Sequence, residues 1–212
     1  MSEPELSRMA EENLRTIRSM MERATAYRAI SSGSALFGGV LALGVGSLMA
    51  WRSASLSPVA VVGGWLCALL VVAVFNIWQM AREARRGGHA FPSSATLHGV
   101  KVMAPPMGAC GIMGMVMLGW GGEPALGVSL WAVGYALGLL ATASFAPRSI
   151  RWLGWGFLVA GMAWFLWRKV FHGSPAGTTA LADASCFMAA TFGGLHVLYA
   201  IRTGWWKRTG GL

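Results

Sequence analysis

Long apolar blocks, separated by short polar breaks, dominate the hydrophobic pattern of this chain from residue 30 onwards. A helix rises about 1.5 Å per residue, so about 20 apolar residues cross the roughly 30 Å hydrocarbon core of a bilayer. Six blocks have about that length: Ile30–Trp51, Pro58–Met80, Val100–Trp120, Pro124–Ala146, Ile150–Trp167 and Ala180–Ile201. The pattern predicts an all-α fold, a polytopic membrane bundle of six transmembrane helices.

The polar breaks indicate how these spans are connected. Arg52–Ser57, Gly121–Glu123 and Pro147–Ser149 are long enough only for tight turns between antiparallel helices. Ala81–Gly99 and Arg168–Thr179 are longer, but neither is long enough for a separate domain. We therefore divide the chain into a cytoplasmic segment at 1–29, the bundle at 30–201 and a basic tail at 202–212.

Composition supports the membrane prediction. The chain is 55% hydrophobic and 12% charged, whereas an ordinary soluble domain is about 25% charged. The basic residues behind the net charge of +9 flank the apolar blocks, so lipid headgroups account for them and nucleic acid is not indicated. Cys67, Cys110 and Cys186 lie inside apolar blocks, which favours buried thiols over a disulfide framework.

The distribution of Lys and Arg predicts the orientation. If the N-terminus is cytoplasmic, all of the 17 basic residues except Arg52, Arg168 and Lys169 lie on the cytoplasmic side. This asymmetry follows the positive-inside rule, and an even number of spans returns the C-terminus to the same side. No cleavable signal peptide is visible before the first apolar block.

Small residues recur at every fourth position in three of the spans, which permits helices to approach closely in lipid. The rows are Ser34, Gly38, Ala42, Gly46 and Ala50 in the first span, Gly134, Gly138, Thr142 and Ala146 in the fourth, and Ala182, Cys186, Ala190 and Gly194 in the sixth. We expect these rows to pack inside the bundle. A homodimer face is the alternative.

The third span contains an adjacent pair of prolines, Pro105 and Pro106. Proline cannot donate a backbone hydrogen bond, so a helix that starts at Val100 would kink or break there. We expect the regular helix to begin at Pro105, as a short tilted span with an irregular entry. Broken helices also line the binding sites of transporters, which leaves a permease open.

Residues 5–28 have the periodicity of an amphipathic helix that leads into the first span. Arg and Glu share the polar face, where Glu11 and Arg15 have the favourable four-residue spacing. A balanced charge suits a protein contact at least as well as an electrostatic membrane anchor. The predicted contact face contains Leu6, Met9, Leu14, Ile17 and Met21. A protein partner, a second copy or the membrane surface could cover it.

The same segment carries a family resemblance. The run Leu14-Arg-Thr-Ile-Arg-Ser-Met-Met-Glu-Arg-Ala24, followed by Tyr27 and Ala29-Ile30, resembles the start of an uncharacterised family of bacterial multi-span membrane proteins. Their common pattern is "IR..MERA" just before the first span. The resemblance covers about twenty residues and implies a bacterial inner-membrane location. Members tend to be encoded beside a winged-helix transcription regulator, which implies a regulatory partner, but no activity or site residue carries over.

Sulfur side chains form the most specific candidate for ligand chemistry. Helical spacing places Met103, Met107, Cys110, Met113 and Met117 on one face of the third span. Soft sulfur ligands select Cu(I), and a Met-x-x-x-Met pair resembles the motif of eukaryotic copper transporters. Methionine is also an ordinary gap-filler in apolar helices. Copper therefore remains a possible cofactor or cargo, with packing as the simpler interpretation.

His196 is the only histidine inside a predicted span, and intramembrane ionisable residues are candidates for function. Its position after Gly193 and Gly194 permits close packing and a hydrogen bond to a neighbouring carbonyl. One histidine does not provide a bis-histidine haem site, and no carboxylate lies deep within a span, which disfavours ion-coupled transport.

No catalytic residue is predicted, because the sequence lacks zinc-protease, phosphate-loop and nucleophilic-triad patterns. We therefore expect a non-enzymatic interaction or regulatory membrane component. The alternative is a permease for a small solute or copper through the bundle around the third span.

Overall fold

The computed structural model describes residues 8–9, 11–13, 32–88, 90–172 and 178–208. Its helices are α1 (Ser32–Trp51), α2 (Pro58–Arg86), α3 (Ser94–Gly119), α4 (Pro124–Ala141), α5 (Arg148–Trp167), α6 (Thr178–Met188) and α7 (His196–Arg208). A short 3₁₀ turn at Ser53–Ser55 follows α1, and a π-helical turn at Arg168–His172 extends α5. A second π-helical turn, Ala189–Leu195, joins α6 and α7 into one sixth span.

Six helical segments of the described chain are long and apolar enough to cross a membrane. The described residues contain no strand, so the predicted all-α, multi-pass bundle is confirmed. Of the predicted cytoplasmic helix, the structure describes residues 8, 9 and 11–13, which are helical and exposed. Leu6, Leu14, Ile17 and Met21 lie outside the described residues.

Tight connections make consecutive spans antiparallel neighbours. Ser57 caps α2 by accepting a hydrogen bond from the Ala60 N–H (3.2 Å), and Pro58 occupies the first turn, where its missing donor costs nothing.

Helix α2 continues to Arg86, beyond the predicted end of the second span at Met80. Its 29 residues correspond to about 43 Å, so the last turns of α2 extend past the hydrocarbon core.

Helix α3 is continuous through its two prolines, and the expectation that its regular part begins at Pro105 is wrong. It begins at Ser94, because the Ser93 side chain accepts the Thr96 N–H at 3.1 Å and so caps the first turn. The prolines remove the donors that would reach the carbonyls of Lys101 and Val102. Lys101 is exposed, so polar groups of the surroundings can reach this end of the helix.

The row of small residues in the first span packs inside the bundle, as predicted, with contacts to the second span and to the sixth. Ser34, Ala42 and Gly46 are buried. A Cβ added to Gly46 would lie 2.7 Å from the Ala189 Cβ, and one added to Gly39 would lie 2.9 Å from the Val197 backbone nitrogen. Only glycine permits this backbone approach. The small-residue row of α1 is therefore an intramolecular packing surface.

The row in the fourth span also packs internally, because Gly134, Gly138 and Thr142 are buried. The row in the sixth span does not: Cys186 and Ala190 are exposed, and nothing lies within 4 Å of a Cβ added to Gly194. The prediction that this row is a packing seam is wrong. The buried row lies one position earlier, at Ser185, Ala189 and Gly193.

The close contact between α3 and α4 leads to a prediction about the stability of the bundle. A Cβ at position 134 would overlap the Cys110 Cβ and lie 3.1 Å from the Pro106 carbonyl oxygen. We expect Gly134→Ala to lower the free energy of unfolding in detergent by about 1–3 kcal/mol, because backbone must move to relieve the overlap.

Gly108→Ala is the matched control, since a Cβ there meets nothing within 4 Å. Its better helix propensity should leave stability unchanged or slightly higher. Equal stability of the two variants would contradict the proposed tight contact at Gly134.

Candidate functional site

Tyr135 and His196 form a hydrogen-bonded pair where the fourth, fifth and sixth spans meet. The Tyr135 hydroxyl oxygen lies 2.9 Å from His196 Nε2, and His196 Nδ1 lies 2.8 Å from the Phe192 carbonyl oxygen. A carbonyl only accepts, so Nδ1 carries a proton and donates it. In the neutral ring Nε2 is then the acceptor, and Tyr135 is its donor. The expected hydrogen bond from His196 to a neighbouring carbonyl is present.

An aromatic cluster encloses this pair. Phe157 of α5 is fully buried, and its ring centroid lies 4.8 Å from that of Tyr135 and 5.4 Å from the imidazole centroid. Phe192 lies 4.8 Å from Phe157 between ring centroids. Counting about 1.5 Å per residue from Pro124 places Tyr135 about 16 Å along α4, near the middle of the hydrocarbon. The pair is therefore an enclosed polar site at depth.

The π-helical turn Ala189–Leu195 gives the histidine its local geometry. The His196 backbone N–H donates to the Gly193 carbonyl, three residues back. The imidazole reaches the Phe192 carbonyl, four residues back, with its side chain. π-helical turns are rare and often occur at functional positions. Here the turn fixes the tautomer of the one histidine predicted as an intramembrane polar site.

A second polar contact lies one turn further along the sixth span. The Tyr199 hydroxyl lies 3.5 Å from Ser149 Oγ at the start of α5. In the other half of the bundle, Ser34 of α1 donates to the Asn76 side-chain oxygen of α2. These contacts satisfy polar groups between spans, which stabilises a membrane bundle modestly.

A buried arginine marks the opposite end of the fifth span. The Arg168 side chain is 6% exposed and lies 2.8 Å from the Asp183 carboxylate of α6, which is 46% exposed. Its guanidinium also lies 5.5 Å from the Trp164 ring centroid. Arg168 Nε has no hydrogen-bond partner among the described residues. Lys169 and Glu123, 3.8 Å apart, form a weaker and more exposed pair nearby.

The five predicted sulfur ligands do not share one environment. A Cβ added to Gly138 would meet Met107 and Met103, and one added to Gly134 would meet Cys110. These three side chains therefore fill the space beside the glycines of α4. Met117 is half-buried beside Gly121, and Met113 is 54% exposed. Met103, Met107 and Cys110 therefore lie at the α3–α4 contact, whereas Met113 lies outside it.

No group of three or more His, Cys, Asp or Glu side chains with metal-binding geometry occurs within the described ranges. The Tyr135–His196 pair supplies one hydroxyl donor and one imidazole, but its rings are covered by phenylalanine. Its chemistry suits a fixed polar link between spans. Sequence reasoning identified His196 but missed Tyr135, although the scarcity of polar residues in the spans made each tyrosine a possible partner.

The link between Tyr135 and His196 predicts a measurable coupling. We expect Tyr135→Phe to lower the free energy of unfolding by about 1 kcal/mol, because the imidazole acceptor loses its donor in a low-dielectric site. Tyr199→Phe, which removes only a 3.5 Å contact, should cost less. Unfolding by denaturing detergent would measure both.

A double-mutant cycle with His196→Leu separates the hydrogen bond from packing. After His196→Leu, the further change Tyr135→Phe should cost nothing or restore some stability, because it removes a buried hydroxyl that has lost its partner, so the two single effects are not additive. Additivity within about 0.5 kcal/mol would show that the pair contributes nothing as a pair.

Comparison with known proteins adds no family, relative or fold to this description. No protein-family model, curated protein or solved structure matches the chain.

Proposed function

We propose that this chain is a non-enzymatic interaction or regulatory component of the bacterial inner (cytoplasmic) membrane. Both termini lie in the cytoplasm, and the amphipathic helix at residues 5–28 is its contact surface. The bundle is the scaffold that holds this helix at the membrane. The proposed partner is a cytoplasmic protein or a second copy of the chain.

The proposal rests mainly on one observation: the polar and sulfur side chains that catalysis or transport would use are engaged with other residues of the bundle. His196 is engaged by Tyr135 and Phe192, and Arg168 by Asp183. Met107 and Cys110 fill a helix contact. Groups used in this way hold the spans together, which supports the proposed role of the bundle as a scaffold.

Exposure of Met9 supports the choice of the N-terminal helix. Its side chain is 51% exposed, while Arg8, Glu11, Glu12 and Asn13 are exposed as well. A large apolar side chain left open beside charged ones suits a helix whose apolar face is covered by a partner. The resemblance to bacterial proteins encoded beside transcription regulators supports a regulatory role for that contact.

The proposed orientation predicts the labelling of single cysteines. In a chain whose three native cysteines are replaced by alanine, Ser55→Cys lies in the exposed connection after α1, and Ala90→Cys lies in the exposed connection after α2. An impermeant maleimide should label position 55 in intact spheroplasts, and position 90 only after lysis. The reverse pattern would invert the topology.

Removal of the N-terminal helix tests the proposed contact. We expect the chain without residues 2–28 to retain its bundle and thermal unfolding midpoint. Its mass by light scattering in detergent should fall to that of a single chain, and any cytoplasmic protein that co-purifies with the full-length chain should be lost, because the apolar contact face is gone.

Substitutions on each face of the helix test whether its apolar face makes the proposed contact. Serine at Leu6, Met9, Leu14, Ile17 and Met21 should reproduce the deletion, whereas alanine at Arg8, Glu12, Arg15 and Arg18 should preserve at least part of the assembly. Unchanged mass and partners after the deletion would refute the proposed function.

A further inference from the structure

A cavity lies at the cytoplasmic end of α2 in the proposed orientation. It has a volume of about 360 Å³ and is lined by Trp78, Arg82, Arg85 and Arg86. The three arginines are exposed, so the cavity opens to the surroundings of the helix.

Helical spacing explains why these four side chains share one face. At about 100° per residue, positions 78, 82, 85 and 86 fall within an arc of about 100°. The Arg82 guanidinium carbon lies 5.3 Å from the Trp78 ring centroid, so the indole holds that cation beside it. Glu83 lies about 60° beyond Arg86 by the same count, outside this arc. The face therefore presents three guanidinium groups and no carboxylate of its own helix.

The position of the cavity along α2 sets its depth. Counting about 30 Å of hydrocarbon from Pro58 brings the helix to about Trp78. Tryptophan prefers that boundary, and residues beyond it reach the headgroup layer. Arg85 and Arg86 are part of the last turn, and neither is ion-paired with a carboxylate of the described residues. Their charges are available to an anion.

The same face continues into the membrane as an apolar surface. Val71 lies within the arc that contains Trp78 and Val74 lies about 20° beyond its edge, and they are 49% and 58% exposed. An anion that carries hydrocarbon chains can therefore place its charge among the arginines and its chains along these valines. A free anion uses only the first of these two features.

We infer that Trp78, Arg82, Arg85 and Arg86 form a binding site for the phosphate headgroup of an anionic phospholipid. Guanidinium groups bind phosphate oxygens through paired N–H donors, and the indole occupies the headgroup boundary. The acyl chains lie along Val71 and Val74. The partial negative charge at the end of the helix opposes the phosphate, but three full positive charges outweigh it.

Native mass spectrometry of the full-length protein in detergent tests this site. The protein is titrated with phosphatidylglycerol or with phosphatidylcholine of the same acyl chains, and bound lipid is counted. We expect preferential retention of phosphatidylglycerol. The double variant Arg85→Gln/Arg86→Gln should weaken it by about 25-fold, from about five-fold for each basic residue near an anionic headgroup.

Arg148→Gln/Arg151→Gln is the matched control, because it removes two exposed arginines at the start of α5 without altering the cavity. It should retain phosphatidylglycerol as the unmodified chain does. An equal loss in this control would show a diffuse charge effect and overturn the site, as would equal binding of the two lipids.

A competition separates a lipid headgroup from a free anion. Excess inorganic phosphate should displace little bound phosphatidylglycerol, because it lacks the chains that contact Val71 and Val74. Displacement at equimolar phosphate would overturn the lipid assignment in favour of a free phosphate site. Near-UV circular dichroism of each variant confirms that the bundle is intact.

Discussion

Close backbone contact between α1 and the sixth span is the constraint on which the rest of the bundle depends. Inside hydrocarbon no water drives helices together, so they associate through van der Waals contact over short distances. Gly39 and Gly193 provide that distance: a Cβ on Gly39 would lie 3.0 Å from the Gly193 carbonyl oxygen. The first and last spans are thereby joined, and α2 to α5 complete the bundle around them.

The polar groups of the bundle depend on that arrangement. His196 follows directly after the π-helical turn that contacts α1, and from there it reaches Tyr135 of α4. The ion pair between Arg168, directly after α5, and Asp183 of α6 joins the fifth span to the sixth. A polar group in lipid is costly unless it has a partner, so each pair restricts which spans can be neighbours. Glycine contacts provide the close approach, and polar pairs select one arrangement among those that are close.

The spans could be predicted because hydropathy is a property of each segment by itself. The ends of the helices were harder to predict from the sequence. Helix α2 continues to Arg86 because its charged amphipathic end remains helical beyond the membrane. The Ser93 cap and the helical propensity of the following turns extend α3 through Pro105, which the proline pattern alone argues against.

The rows of small residues predicted the buried faces correctly for only two of the three spans that contain them. The rows of α1 and α4 are buried as expected, but in the sixth span the side facing α1 is the one with Ser185 and Ala189. Sequence does not show which neighbour a face will meet. For the same reason, the sequence did not identify Tyr135 as the partner of His196. It also did not show that Trp78 and three arginines line one cavity, which only the structure reveals.

The π-helical turn in the sixth span also affects how straight the contact with α1 is. In an α-helix, a step of four residues overshoots a full turn by about 40°, so a row at that spacing winds away from its neighbour. The wider turn needs more residues and falls short of a full turn in four. The overshoot in the α-helix and the shortfall in the π-helical turn oppose each other. As a result, Ser185, Ala189, Gly193 and Val197 all remain against α1. One local irregularity thus corrects the phase of a contact line that spans more than half of the hydrocarbon core.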